Sequence, residues 1–502
     1  MRSAQNGCDG GPHPGGRAGA GGAAAYSTVM RRPLVLAVTA ALCLPLTGNA
    51  APPGPLAGAP NLKQVANLSW KGGTDLEITR IKGRRYVVAG AQNNYNKTTS
   101  YGLRVVDVEN PAKPRVAGFL PCNASQNDVQ VKGTLAFLAV DFYHRADGEE
   151  RRDCWTQARV NPAPGVMVID ISNPARPTAV SFVPVKTGAH NTSVHPTRPL
   201  LYVSESESLS TDADNTAMPV HVIDFSKPRA AKVVTTFSMG PGDSAHDITF
   251  NAKGTRAYAA SGFGGMTVIL DTTNPLEPKV VGRVVDPAIN FSHQADPTPD
   301  GKYLLITDEL AGAEGNLYCP GGGIHVWDIS NEAVPVKVGA YYIPDTFPSA
   351  DEGPRPNPVG VGPKIFRCTA HVMRMTPDGK TLVMAWYSQG VQVLDLSGLP
   401  GASAGAAGTD AGAGIRRLGN WTADGVDAWS AKMDDRGYIY TGDTGRGMDV
   451  VKFDRKAAAR TPVDPGVWLD PQQALLRSLQ DQAVQTKGRT YFCFERATRL
   501  GL

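Results

Sequence analysis

The sequence predicts an all-β fold, a seven-bladed β-propeller of four-stranded antiparallel blades, on three observations. The 502 residues hold 55 Gly and 39 Pro beside 41% hydrophobic residues, the balance of a chain with many short strands, tight turns and a sizeable core. One phrase of alternating β-branched residues recurs six times. Another strand pair stands before each copy, so that a four-strand unit repeats about every 50 residues, the spacing of propeller blades. The formal charge of +4 is spread over 50 basic and 46 acidic residues with no block of one sign, which excludes a nucleic-acid partner as an expectation.

Taken in chain order, residues 1–29 are Gly/Ala-rich without apolar periodicity and are read as lying ahead of the true start at Met30. Residues 30–50 read as a signal peptide: Arg31-Arg32, the apolar run Leu34 to Leu46, and the small-residue site Gly48-Asn49-Ala50. The arginine pair fits either an ordinary basic n-region or a twin-arginine signal, and Cys43 is a weak lipoprotein alternative because Leu42 occupies the place of a small residue. No other apolar run is long enough to span a bilayer, so export to a periplasm or the exterior, without a transmembrane segment in the mature chain, is the expectation. Residues 51–60 are a linker, 61–454 the propeller, and 455–502 a partly helical extension with its helical pattern at Pro471 to Gln485.

The recurring phrase is GLRVVDVENPAKPRVAGFL from Gly102, and it returns from Gly165, Val220, Met266, Ile324 and Val391. The copies read as a strand with a late Asp, then a turn, Asn-Pro or Ser-Lys-Pro in four of the six, and a second strand, hence a hairpin. Blades are placed at Thr74–Leu120, Ser125–Pro184, Ala189–Phe237, Ala245–Val285, Phe291–Tyr342, Thr369–Asn420 and Ala428–Phe453. The seventh carries Lys452 in place of Asp and lacks an outer strand, and Asn61–Trp70 is the strand expected to supply it and close the ring. On these phrases the chain resembles the LVIVD-repeat family. That resemblance covers nearly all of the mature chain and implies a secreted or surface protein, with activity to be read from its site.

Turns between first and second strands, such as Pro299-Asp300-Gly301, are short, whereas connections between second and third strands are long at Ala91–Tyr101, Asp141–Pro164, Glu205–Pro219 and Glu309–Gly322. All of the long ones emerge on one face, which makes that face the place to seek function. Cys122 with Cys154, and Cys319 with Cys368, are expected to form disulfides there, with Cys493 left over. A cysteine metal site would need CxxC spacing that the chain lacks.

Aligned starts of the channel-lining strands put Asp75, Asn127, His190, His246, His293, His371 and Trp429 at one equivalent position. Four of only nine histidines thus fall on consecutive blades and aim at a shared axis. Neutral imidazole is the commonest ligand of transition metals, so these four are candidate ligands for a divalent ion, with Zn, Cu, Ni or Mn all open. Asp308, Glu309 and Glu205 follow second strands and are candidate proton-transfer groups at the same mouth. Two readings stand: a metal-dependent hydrolase or oxidoreductase acting on a small molecule, and a non-catalytic module binding protein or glycan, whose histidines bond backbone between blades. Copper-dependent sulfur-compound oxidases related to selenium-binding proteins resemble the first in having His near a propeller axis. Ser244 beside His246 lacks a nucleophile elbow, and Gly321-Gly322-Gly323 precedes a strand, not a phosphate-binding helix.

Overall fold

The computed structural model describes residues 59–92, 101–143, 153–205, 218–240, 243–263, 265–309, 322–343, 369–401, 414–460, 463 and 466–485. The expected signal segment, Cys319, Cys368, Cys493 and most of the long connections lie outside the described residues.

Local chemistry explains why the repeat folds into hairpins. The Asp that ends each third strand turns its carboxylate back onto the backbone amide two residues on: Asp107 to Glu109, Asp170 to Ser172, Asp224 to Ser226, Asp271 to Thr273, Asp328 to Ser330 and Asp395 to Ser397, at 2.7–3.1 Å. Such Asx turns end one strand and aim the chain into the next. In the seventh blade Lys452 replaces this Asp and bonds the Arg436 carbonyl instead. Between first and second strands the Asp-Gly turns use Gly301 and Gly379 at φ near +70°, a left-handed conformation open to glycine without strain.

Seven sheets result. The inner strands run Gly73–Ile81, Ala124–Lys132, Asn191–Val194, Asp247–Phe250, Phe291–Pro297, Met373–Met375 and Ala428–Met433, and each is followed outward by antiparallel neighbours. Leu62–Leu68 hydrogen-bonds antiparallel to Met448–Phe453 as the outermost strand of the seventh sheet. Blade five is wider than the repeat predicts: Gly262–Phe263 pairs on its inner side, and Val467–Leu469 of the C-terminal extension pairs with Ala340–Tyr342 on its outer edge. The helix Pro471–Gln485 then packs on that edge, with Ala474 buried against Ala340 and Tyr342, and Arg477 lying 4.4 Å over the Tyr342 ring.

The core lies between blades, not within one. Phe137, Val166 and Val168 of the second blade interleave with Leu201, Val203 and Ile223 of the third, all fully buried. Alternate residues of each strand fill one interface or the next, which fixes the register of every strand. Cys122 and Cys154 are joined in a disulfide within the packing between the first and second blades, as the sequence predicts.

Candidate functional site

The histidines stand where inner strands begin. The backbone amides of His190, His246 and His371 bond the carbonyls of Ser204, Ala260 and Ala385, each at the end of its own second strand, so the three side chains leave equivalent positions. His293 reaches the same place from within Phe291–Pro297, through a bulge between Ser292 and Gln294 that turns its side chain to the axis. The rings form an arc: centroids are 4.3 Å apart from His190 to His246, 4.7 Å from His246 to His293 and 4.1 Å from His293 to His371. Trp429 continues it, with its ring edge-on to His371 at 4.7 Å and its carbonyl bonded to His371 Nδ1.

The two ends of the arc are held by hydrogen bonds. His190 is fixed through both ring nitrogens, Nδ1 to Asp141 Oδ2 at 2.9 Å and Nε2 to the Gln126 amide at 3.0 Å. His293 Nδ1, by contrast, is buried with no hydrogen-bond partner among the described residues. Burial, reinforced by the neighbouring imidazoles, pushes the pKa values of His246 and His293 well below the usual histidine range. Both rings are therefore neutral at physiological pH, the form that offers a lone pair.

Of the acidic candidates, Glu309 alone enters this arc. Its amide bonds the Phe291 carbonyl at 3.0 Å, and its carboxylate spans two rings, Oε2 lying 3.7 Å from His293 Nε2 and Oε1 lying 3.6 Å from His371 Nε2. Ligand atoms of His246, His293 and Glu309 all lie within 4.8 Å of one another. Donors around one tetrahedral ion with bonds of about 2 Å stand roughly 3.5 Å apart, so the three could hold an ion once their side chains draw together.

The other expected residues are placed elsewhere. Asp308 accepts the Asn290 and Phe291 amides at 3.1 and 2.9 Å, anchoring the start of its blade's inner strand. Glu205 turns to His221 Nε2 at 2.5 Å, a histidine on the third strand of its own blade. Asn127 donates to the Ala91 carbonyl at 2.5 Å, and Asp75 turns along the channel to Arg374 at 3.2 Å. Ser244 Oγ bonds the Ser261 carbonyl and makes no pair with His246.

Arg374 belongs to a second layer that the sequence reading missed. Three residues beyond the imidazole position, a step of about 10 Å along a strand, come Asp296, Arg374 and Lys432. With Asp75, Glu77, Asp128 and Asp247 they place five carboxylates against two cations. Asp75 pairs with Arg374, and Glu77 with Lys432. Burial, together with neighbouring carboxylates, pushes Asp128 well up and Asp247 up to about 7, and burial raises Asp296. Burial opposes the Arg374 charge, but Asp75 and Glu77 outweigh it and hold the guanidinium ionised. Beyond this layer the short-turn face opens into a cavity of about 1500 Å³, with Asp296, Arg374 and Lys432 at its inner end. The available signal was charge at matching positions of inner strands, which alternation alone disguises as solvent-facing residues.

Fold and site together define a seven-bladed propeller with imidazoles gathered at one mouth of its channel. Within that class the chain carries an LVIVD repeat: the LVIVD repeat model matches residues 163–184, the phrase that begins at Gly165. No curated protein matches it by sequence. Among solved structures it is similar to Kuenenia stuttgartiensis hydrazine synthase, at 15% identity and a TM-score of 0.51 over 78% of this chain and 98% of that one. It is also similar to the periplasmic gluconolactonase of Pseudomonas aeruginosa, at 12% identity and a TM-score of 0.51 over 77% and 96% of the two chains. Identities this low speak for the shared propeller and not for a shared reaction.

Proposed function

We propose that this chain is an exported metalloprotein whose His246, His293 and Glu309 hold one divalent transition metal at the imidazole mouth, with a hydrolytic or redox reaction on a small molecule as its activity. The observation that carries the reading is the convergence of two buried, neutral imidazoles and a carboxylate within 4.8 Å. Two nitrogens and one oxygen suit Zn, Cu, Ni or Mn and leave a coordination position for water or substrate. A bound ion would supply Lewis acidity, an activated water or a redox couple. The residues around it supply the rest. Asp141 holds the His190 ring in one orientation, the Trp429 carbonyl holds His371, and the aromatic rings of Phe291 and Trp429 keep water from the flanks of the arc.

Export is the compartment that fits the Cys122–Cys154 disulfide and the signal-like residues 30–50. Sequencing the N-terminus of the exported product tests it, and recovery of Met1 to Val29 there would sink the assignment of Met30 as the start.

The rival reading, a binding module for protein or glycan, draws support from the unbroken stacking of the four rings, since packed imidazoles can simply fill a channel mouth. Elemental analysis of protein purified without added metal separates the two. The metalloprotein retains close to one equivalent of a transition metal, and His246→Ala with His293→Ala abolishes it. An empty protein that also takes up no metal on titration removes the first reading and leaves the second.

A further inference from the structure

We infer that Tyr387 is the positioning residue of this centre, its hydroxyl fixing which oxygen of Glu309 is presented to the ion; the inference rests on the metal reading above. In blade six the second and third strands are joined not by a long loop but by a tight turn over Trp386–Gly390. The Trp386 amide bonds the Gly390 carbonyl at 2.8 Å, and the Gly390 amide returns to the Tyr387 carbonyl at 2.9 Å. That same Tyr387 carbonyl accepts the Ala428 amide of blade seven at 3.0 Å, tying the turn to the next blade.

Inside this turn Tyr387 sits at φ +40°, in the left-handed region that a bulky residue enters only when its surroundings compel it. A glycine would relax the backbone there, so the site keeps a tyrosine for what its side chain does. The side chain is 1% exposed, with its ring stacked 4.5 Å from His371 and 6.1 Å from Trp429. From that slot the hydroxyl donates to Glu309 Oε1.

The consequence for Glu309 follows from counting its oxygens. Oε1 is engaged by the Tyr387 hydroxyl and faces His371, while Oε2 is the oxygen directed at His293. A carboxylate held at one oxygen cannot rotate freely, and the hydrogen bond draws electron density from Oε1, so Oε2 is the oxygen favoured for an ion. Hydrogen bonds of this kind to ligating carboxylates orient the ligand and tune its strength.

Co²⁺ titration followed by visible absorption tests this on the full chain. Tyr387→Phe keeps the ring, the turn and the stacking and deletes one hydrogen bond. The expected result is a 10- to 100-fold weaker Co²⁺ affinity at unchanged one-to-one stoichiometry, with altered visible bands because the carboxylate changes its mode of binding. The melting temperature of the metal-free protein should stay near that of the wild type. With Glu309→Gln in the background, loss of the hydroxyl should cost nothing further. Wild-type affinity and spectrum in Tyr387→Phe, or a full additional loss in the double variant, would overturn the role of Tyr387 and leave the metal reading standing. Failure of the wild-type protein to bind Co²⁺ would overturn both.

Discussion

The channel holds two layers built from the same inner strands, and burial shifts the titration of their side chains in opposite directions. In the imidazole arc it strips protons, because a buried ring is cheaper uncharged, and His246 and His293 become lone-pair donors. In the layer below, the same burial favours the proton, and the pKa values of Asp128, Asp247 and Asp296 are pushed upward beside two ion pairs. The upper layer is thereby prepared to accept a cation, while the lower layer already contains its own in Arg374 and Lys432.

The largest effect should come from taking away the more buried of the lower layer's two cations, Arg374. Arg374→Met leaves Asp75 buried without its partner, and losing one member of a buried pair costs about 3–5 kcal/mol. The Arg374 side chain keeps 22% exposure toward the cavity, so the lower end of that range is expected. Urea unfolding measures it, and adding Asp75→Asn should recover part of the loss. An Arg374→Met variant as stable as the wild type would mean that Asp75 needs no partner in the channel.

The next effect separates the layers by pH. Asp247 has its folded-state pKa raised to about 7 from 3.8, so its contribution is fully present below pH 3.8 and is lost as pH climbs through 7. Three units on a buried group correspond to a loss on the order of 4 kcal/mol before solvent and relaxation reduce it. His246 is shifted the other way: its contribution is complete above pH 6.5, its unfolded value, and drains away as pH falls and the unfolded chain takes up the proton. Between about pH 4 and 6.5 the two slopes oppose each other, so these two contributions should offset in the wild type. Asp247→Asn, which keeps the acceptor oxygen for the Ile248 amide, should uncover a fall toward acid and raise stability at pH 8. His246→Asn should uncover the fall toward alkali. Parallel curves for the two variants in chemical denaturation would show that the layers do not titrate as placed.

Much of this architecture could be read in the sequence because its signals are local. The Asp before each Asn-Pro closes an Asx turn two residues away, and matched histidines on inner strands must converge whatever the loops do. What could not be read depended on contacts between blades. Asp308, Glu309 and Glu205 look alike as acids after second strands, yet one caps backbone amides, one enters the arc and one turns to His221. Tyr387 is legible as an aromatic near the loop face, but its contact with a carboxylate 78 positions earlier was hidden for the same reason, since it comes from a five-residue turn. The lower layer was obscured because a charged residue in a strand normally faces water, and only closure of the ring turns that face into a channel.

The smallest expected effect bears on where the arc stops being a ligand set. His190 carries the same aligned position as His246 and stacks on it, but its Nδ1 is taken by Asp141 and its Nε2 by Gln126. An imidazole with both nitrogens committed has no lone pair to give an ion, so His190 belongs to the wall of the site. Asp141→Asn should therefore cost about 1 kcal/mol of stability, one hydrogen bond weakened, and change metal affinity by less than about threefold. Metal titration of that variant beside His293→Ala decides it. A tenfold or greater loss in Asp141→Asn would instead place His190 among the ligands, oriented by a carboxylate in the manner common at metal centres, and the boundary between binding arc and channel wall would move one blade further round the ring.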